Sequence, residues 1–309
     1  MNGIVTRQFQ PLTDVERVWS FMTEVYAEDR SNGMPAPFFE YALASSWLDR
    51  HYLFMDRLWL DGDRVAAFAF YEEPCTEVYV NLRPGYEFLA DEIVEYGEMS
   101  MPNFGGEKSF ALFPGQKVLI EAVKRRGFAL DREDVENVFD FSAGRLGRPL
   151  PEGFHLIDPL RCDPAKLAKC FWKGFGHAER APFENWTDRV RGDGWGPQKS
   201  YYGVLGECLA PPPHATYEHN VIIADDAGEY ACFSGMWWVP ENHLAYMEPL
   251  CTIPEYRRMG LAEAALSEHD RRLRPLGARQ MTGGVNPFYK KIGYSGEIRL
   301  LHWKRGANA

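Results

Sequence analysis

The stretch Met247-Glu248-Pro249-Leu250-Cys251-Thr252-Ile253-Pro254-Glu255-Tyr256-Arg257-Arg258-Met259-Gly260-Leu261-Ala262 decides how the rest of the chain is read. It passes from an apolar strand through a turn opened by Pro254 into an amphipathic helix with apolar positions at Leu261, Ala265, Leu266 and Leu273. The first N–H groups of such a helix lack intrahelical partners and its dipole adds positive potential, so residues 257–262 favour an anion such as a pyrophosphate. Gly260 and Ala262 have no bulk to keep that anion from the backbone. Taken alone, R-x-x-G-x-A reads equally well as a basic loop capping a helix, and the surroundings must separate the two.

Those surroundings repeat. Around the stretch the periodicity predicts a strand at 154–157, a helix at 164–174 and a hairpin of 220–224 with 229–238 about Asp225-Asp226-Ala227-Gly228. A strand at 244–252, helices at 261–273 and 287–292, and strands at 279–282 and 298–303 complete the second half. The first half runs in the same order: strand 4–9, helix 13–28 with Thr13 as N-cap, and a hairpin of 52–60 with 64–71 on Asp61-Gly62-Asp63. Strand 77–82, helix 86–96, strand 109–113, helix 116–126 and strand 135–141 follow. In both halves a short helix ends at Gly plus an aromatic, Gly127-Phe128 and Gly293-Tyr294, where a left-handed residue closes a helix. The Gly-, Pro- and Arg-rich run 143–151 has no apolar period and reads as an exposed connector. The expected organisation is a domain at 1–145, a linker at 146–152 and a domain at 153–309.

With its context, Arg257-Arg258-Met259-Gly260-Leu261-Ala262 resembles the Q/R-x-x-G-x-G/A signature of the GNAT superfamily of acyl-CoA-dependent N-acyltransferases. Pro254 ahead of the Arg, the long helix after it, and Tyr289 four residues before Gly293-Tyr294 belong to the same resemblance. It implies an α/β fold, a mixed sheet flanked by helices, in two tandem GNAT-like domains. It also implies acetyl-CoA as co-substrate: Leu250, Cys251 and Thr252 pairing with the pantetheine arm beside a bulge, and Arg257, Arg258, Met259, Gly260, Leu261 and Ala262 holding the pyrophosphate. Tyr289 would protonate the departing thiolate, and Asn286 would contact the cofactor. In the first half, Asn81-Leu82-Arg83-Pro84-Gly85-Tyr86-Glu87-Phe88 lacks the spacing and Val123 stands at the repeat counterpart of Tyr289, so that domain reads as a degenerate GNAT domain without a cofactor.

Direct attack of an amine on the thioester needs a base, and Glu248, on the strand just before the expected break, is placed to accept the proton. A structural ion pair is its alternative role. Glu229, Glu218 and Tyr246 are fallback bases. Cys251 can be read as a nucleophile, although in an apolar strand Cys serves as a small core residue. His214, Glu218 and His219 lie close in sequence beside Pro211-Pro212-Pro213, without a helix to align them, and no metal site is expected. Of Trp237 and Trp238, alternation gives one to the core and leaves the other to line an acceptor pocket or the opposite core face. The 183–195 excursion and Tyr201-Tyr202 read equally as a cover over an acceptor or as surface packing.

The 309 residues suit two domains, and 34 Lys+Arg against 44 Asp+Glu leave a net charge of −10. That balance argues against nucleic acid and tolerates a small cationic amine as acceptor. The six cysteines include no CxxC pair, and neither a signal-type start nor a run of about 18 apolar residues occurs, so a reduced, cytoplasmic protein without membrane association is expected, monomeric or homodimeric. The leading expectation is an N-acetyltransferase acting on a small amine in a ternary complex. The alternative is a non-catalytic acyl-CoA-binding or regulatory tandem protein.

Overall fold

The computed structural model describes residues 3–45, 48–103, 108–179 and 212–305; the 183–195 excursion and Tyr201-Tyr202 lie outside them. The chain divides into two compact units, one made of Met1–Leu43, Leu48–Glu136 and Glu297–Ala309, the other of Ala44–Trp47 and Asn137–Gly296. The 146–152 connector lies inside the second unit. The crossing falls inside a strand, and the last thirteen residues return to the first unit.

Unit 1 runs β1 (Val5–Gln8), α1 (Pro11–Glu24), α2 (Ala36–Ala44), β2 (Arg57–Asp61), β3 (Arg64–Tyr71), β4 (Glu77–Leu82), α3 (Ala90–Met99), β5 (Ser109–Leu112), α4 (Lys117–Arg125) and the first part of β6 (Phe128–Asp140). Gly62 at φ 59° closes the β2–β3 hairpin, a backbone angle that favours glycine. β3 is apolar on both faces from Val65 to Tyr71, as a strand between helices must be. On α4, Leu119, Ile120, Ala122 and Val123 form one buried stripe, and Gly127 at φ 83° ends the turn. Helix α1 starts earlier than expected: Pro11 takes its first position, and Asp14 rather than Thr13 secures the start by accepting the Gln10 amide at 2.8 Å. Helix α2 has no polar face, so periodicity does not reveal it.

The sheet of unit 1 is ordered β1-β2-β3-β4-β5-β12, where β12 (Gly296–Arg305) is the C-terminal strand of the whole chain. Its register on β5 pairs Leu301 with Leu112, His302 with Ala111 and Trp303 with Phe110. Inside this unit His302 places Nδ1 2.7 Å from Glu77 Oε1 and Nε2 2.9 Å from Asp134 Oδ2. Burial opposes the charge on Glu77, yet its contact with His302 holds the carboxyl below its usual range.

Unit 2 contains β7 (Phe154–Ile157), α5 (Pro164–Gly174), β8 (Val221–Asp225), β9 (Tyr230–Val239), β10 (Leu244–Thr252), α6 (Leu261–Leu273), β11 (Gln280–Thr282) and α7 (Phe288–Ile292). Its sheet is ordered β6-β11-β10-β9-β8-β7, with Val138, Phe139 and Asp140 of β6 pairing with Thr282, Met281 and Gln280. Each sheet therefore includes a strand from the other half of the sequence. Helix α5 covers one face through Leu167, Ala168 and Phe171 against Phe233 and Cys251. Leu261, Ala265, Leu266 and Leu273 of α6 cover the other.

Candidate active site

Past Ala245, paired with Met281, no further residues of β10 and β11 are in register; the last tie is the Met247 amide to Thr282 Oγ1 at 2.7 Å. On its other side β10 stays on β9, with a bulge between Met247 and Leu250. Gly235 makes the bulge possible, since a Cβ there would overlap the Glu248 carbonyl oxygen. The Ile253 amide donates to Ala231 on β9, so by alternation Leu250 and Thr252 turn their main-chain groups to the opposite edge, where β11 has departed. The bulge also resets the faces. Tyr246, opposite Trp237, and Glu248 lie on the face that α5 covers further along, and Cys251 rejoins that face beyond the bulge.

At the head of α6, Gly260 takes φ 88° and Arg258 φ 65°, and no side chain among the described residues caps the helix. The first helical bond is the Ala264 amide to the Gly260 carbonyl, so the amides of Leu261, Ala262 and Glu263 have no acceptor in the helix. The head of α5 is different: Asp163 Oδ1 accepts the Ala165 and Lys166 amides at 2.9 and 3.2 Å. Leu250 packs against the cluster holding Leu261 and also against the one holding Tyr289, which brings the strand edge, the helix start and the tyrosine to one place. The Tyr289 ring lies over the β11–α7 turn, where a Cβ on Gly284 would be 3.7 Å from its hydroxyl oxygen.

Several residues have other partners than the sequence suggests. The Arg257 guanidinium donates to the carbonyls of Thr252 (3.2 Å) and Gly174 (3.0 Å), fastening the loop to β10 and α5. Arg258 and Met259 are exposed beside it. Asn286 is exposed, and its Oδ1 accepts the Phe288 amide at 2.9 Å in the turn that leads into α7. Cys251 is buried in an apolar cluster together with Cys170, the setting of a core thiol. Of the fallback bases, Glu229 pairs with Lys169 and Lys173. Among the described residues no group of three or more His, Cys, Asp or Glu could hold a metal ion.

The sequence reading missed Arg148. The connector is strapped along α6: Arg274 donates to the carbonyls of Phe141 and Gly144, Leu146 N–H to Asp270 Oδ2 (2.9 Å) and Arg148 N–H to Ser267 Oγ (3.0 Å). The strap lays the Arg148 guanidinium on the helix start, where a Cβ on Gly260 would be 2.8 Å from Nη2. Among the described residues no carboxylate pairs with it. An Arg in a run without periodicity gives no positional signal, and only the fold shows where it goes.

No protein-family model matches the sequence, and no curated relative matches it. Solved structures do. A tandem GNAT protein from the clavulanic acid biosynthesis pathway aligns with 99% of this chain and 100% of its own at a TM-score of 0.57 and 12% identity. A GCN5-related N-acetyltransferase from Sphaerobacter thermophilus aligns over 97% of this chain and 95% of its own, with TM-score 0.52 and 14% identity. The C-terminal DUF2156 domain of an Agrobacterium fabrum protein named for lysylphosphatidylglycerol synthesis aligns over 96% and 93%, with TM-score 0.56 and 13% identity. The fold is a mixed α/β fold of the GNAT type, a mixed sheet flanked by helices, and a tandem GNAT protein is among its structural neighbours.

Proposed function

We propose that unit 2 is an N-acyltransferase that takes an acetyl group from acetyl-CoA to an amine of a small acceptor. The observation that carries this reading is the junction of a strand edge, left by β11 at the Leu250 and Thr252 amides, with the helix start at Gly260, whose first amides have no acceptor in the helix. The strand edge offers main-chain groups to a pantetheine amide, and the amides of Leu261, Ala262 and Glu263 offer donors to a pyrophosphate. Arg148 supplies a positive charge at the same helix start, in the place the sequence gives to Arg257.

In the reaction, the acceptor nitrogen attacks the thioester carbonyl, a C–N bond forms and the C–S bond breaks. Glu248 accepts the proton lost by the nitrogen, directly or through water, and Tyr289 gives its hydroxyl proton to the leaving thiolate. Trp237 and Tyr246, on the Glu248 face of the sheet, line the acceptor side.

Free-thiol release measured across a panel of amines with acetyl-CoA tests this reading. For any amine that is turned over, Tyr289→Phe is expected to lower kcat by about 10²-fold with little change in KM, and Glu248→Gln to remove the acid limb of the pH–rate profile. A wild-type kcat in Tyr289→Phe takes that hydroxyl out of the proton path. Binding of acetyl-CoA without thiol release for any amine supports the non-catalytic alternative.

A further inference from the structure

Unit 1 contains the same kind of gap, and the chain fills it with its own main chain. Strands β4 and β5 run parallel through the pair Tyr79 and Ala111 and then part, as β10 and β11 do. Beyond that point the edge of β4 that faces the gap is occupied. Gln116 Nε2 donates to the Val80 carbonyl at 2.7 Å, and the Leu82 amide donates to the Asn32 carbonyl at 3.0 Å. Asn81 grips the same segment with both ends of its amide, giving Nδ2 to the Met34 carbonyl (2.8 Å) and accepting the Met34 amide on Oδ1 (3.1 Å).

The fit leaves no space on either wall. A Cβ on Gly33, which sits at φ 123°, would stand 2.7 Å from the Val80 carbonyl oxygen. Across the gap, a Cβ on Gly115 would stand 2.6 Å from Ser31 Cβ. The loop that leads to α3 is closed as well, since Glu87 Oε1 accepts the Gly85 amide at 2.9 Å and puts a negative charge there. Val123, buried in the core at the repeat counterpart of Tyr289, has no proton to give.

We propose that residues 31–34 stand where a pantetheine arm would lie in unit 1, so that the chain takes up one acyl-CoA, in unit 2 alone. This rests on reading the edge at Leu250 and Thr252 as the pantetheine edge. The two gaps then differ in what meets the strand: the Leu82 amide finds a carbonyl of its own chain, whereas the Leu250 and Thr252 amides face the edge that β11 leaves.

Hydrogen exchange of the full chain, with and without saturating coenzyme A, tests the proposal, with the bound nucleotide counted per chain in the same samples. The expected result is a Leu82 amide that exchanges slowly in the free protein and is unchanged by coenzyme A, more than tenfold slowing at Leu250 and Thr252, and one nucleotide per chain. A Leu82 amide that exchanges freely until coenzyme A is added, or two nucleotides per chain, overturns the proposal. A slow Leu82 amide with no nucleotide bound supports the filled gap and overturns the acyl-CoA reading of unit 2.

Discussion

A guanidinium at the start of a helix opposes the backbone dipole, which favours anions at that end. Arg148 is nevertheless held there by the connector, against the bare backbone of Gly260. An anion between the guanidinium and the amides of Leu261 and Ala262 would reconcile the two. Arg148→Ala is therefore expected to raise KM for acetyl-CoA about fivefold to tenfold and to leave KM for an acyl-pantetheine, which lacks the pyrophosphate, unchanged. Equal effects on both donors would remove Arg148 from phosphate recognition. At this scale the sequence speaks where chemistry imposes spacing: the motif and its neighbours single out Gly260, Tyr289 and Glu248 as candidates. It is silent on Arg148, whose position depends on Asp270 and Ser267, more than a hundred residues away along the chain.

Between elements, α6 is fixed to the sheet by a buried polar contact, His269 Nε2 to Ser234 Oγ at 2.9 Å, directly opposite Leu250 on β10. Burial pushes the His269 imidazole down to about 3, far below its ordinary value, so it stays neutral in the folded protein. The unfolded chain takes up a proton near pH 6.5 and the folded chain does not until about pH 3, so this stabilisation is complete above pH 6.5 and is lost as the pH falls through that window. Between pH 7 and 5 the loss amounts to about 2 kcal/mol. Urea titrations at the two pH values should show a smaller difference for His269→Gln than for the wild type; an equal difference would mean that another group dominates the acid limb. The order of elements was legible because the apolar period changes from strand to helix. The length of β6 was not: residues 129–133 are exposed, so the alternation that marks a strand begins late, and a reading from periodicity starts it at 135. Helix α2 escaped for the opposite reason, being apolar on all sides.

For the whole chain, the exchange of strands outweighs the connector. Unit 1 takes β12 beside β5, with Trp303 in its core, and unit 2 takes the end of β6 beside β11. Cutting at the 146–152 linker, as the sequence suggests, leaves the first piece without β12 and the second without its β6 partner. Residues 1–145 and 153–309 expressed separately are expected to be insoluble or unfolded by circular dichroism, and co-expression to restore a soluble complex. Two independently folded pieces would contradict the exchange. His302→Ala tests the same joint within the intact chain, because it removes a buried 2.7 Å hydrogen bond to Glu77; a loss of about 2 kcal/mol in stability is expected. A repeat in the sequence announces two similar units, but which strand completes which sheet is a matter of long-range pairing that local pattern does not carry.

The proposed function requires the loop at Gly260 to hold the pyrophosphate of an acyl-CoA. Calorimetric titration of acetyl-CoA into the wild type and into Gly260→Glu tests it most directly, because the added carboxylate would meet the anion at the helix start, at a backbone angle that already disfavours a side chain. Saturable heat in the wild type and none in a folded Gly260→Glu is the expected result. Equal heats in both proteins, or none in the wild type at millimolar acetyl-CoA, would contradict the claim.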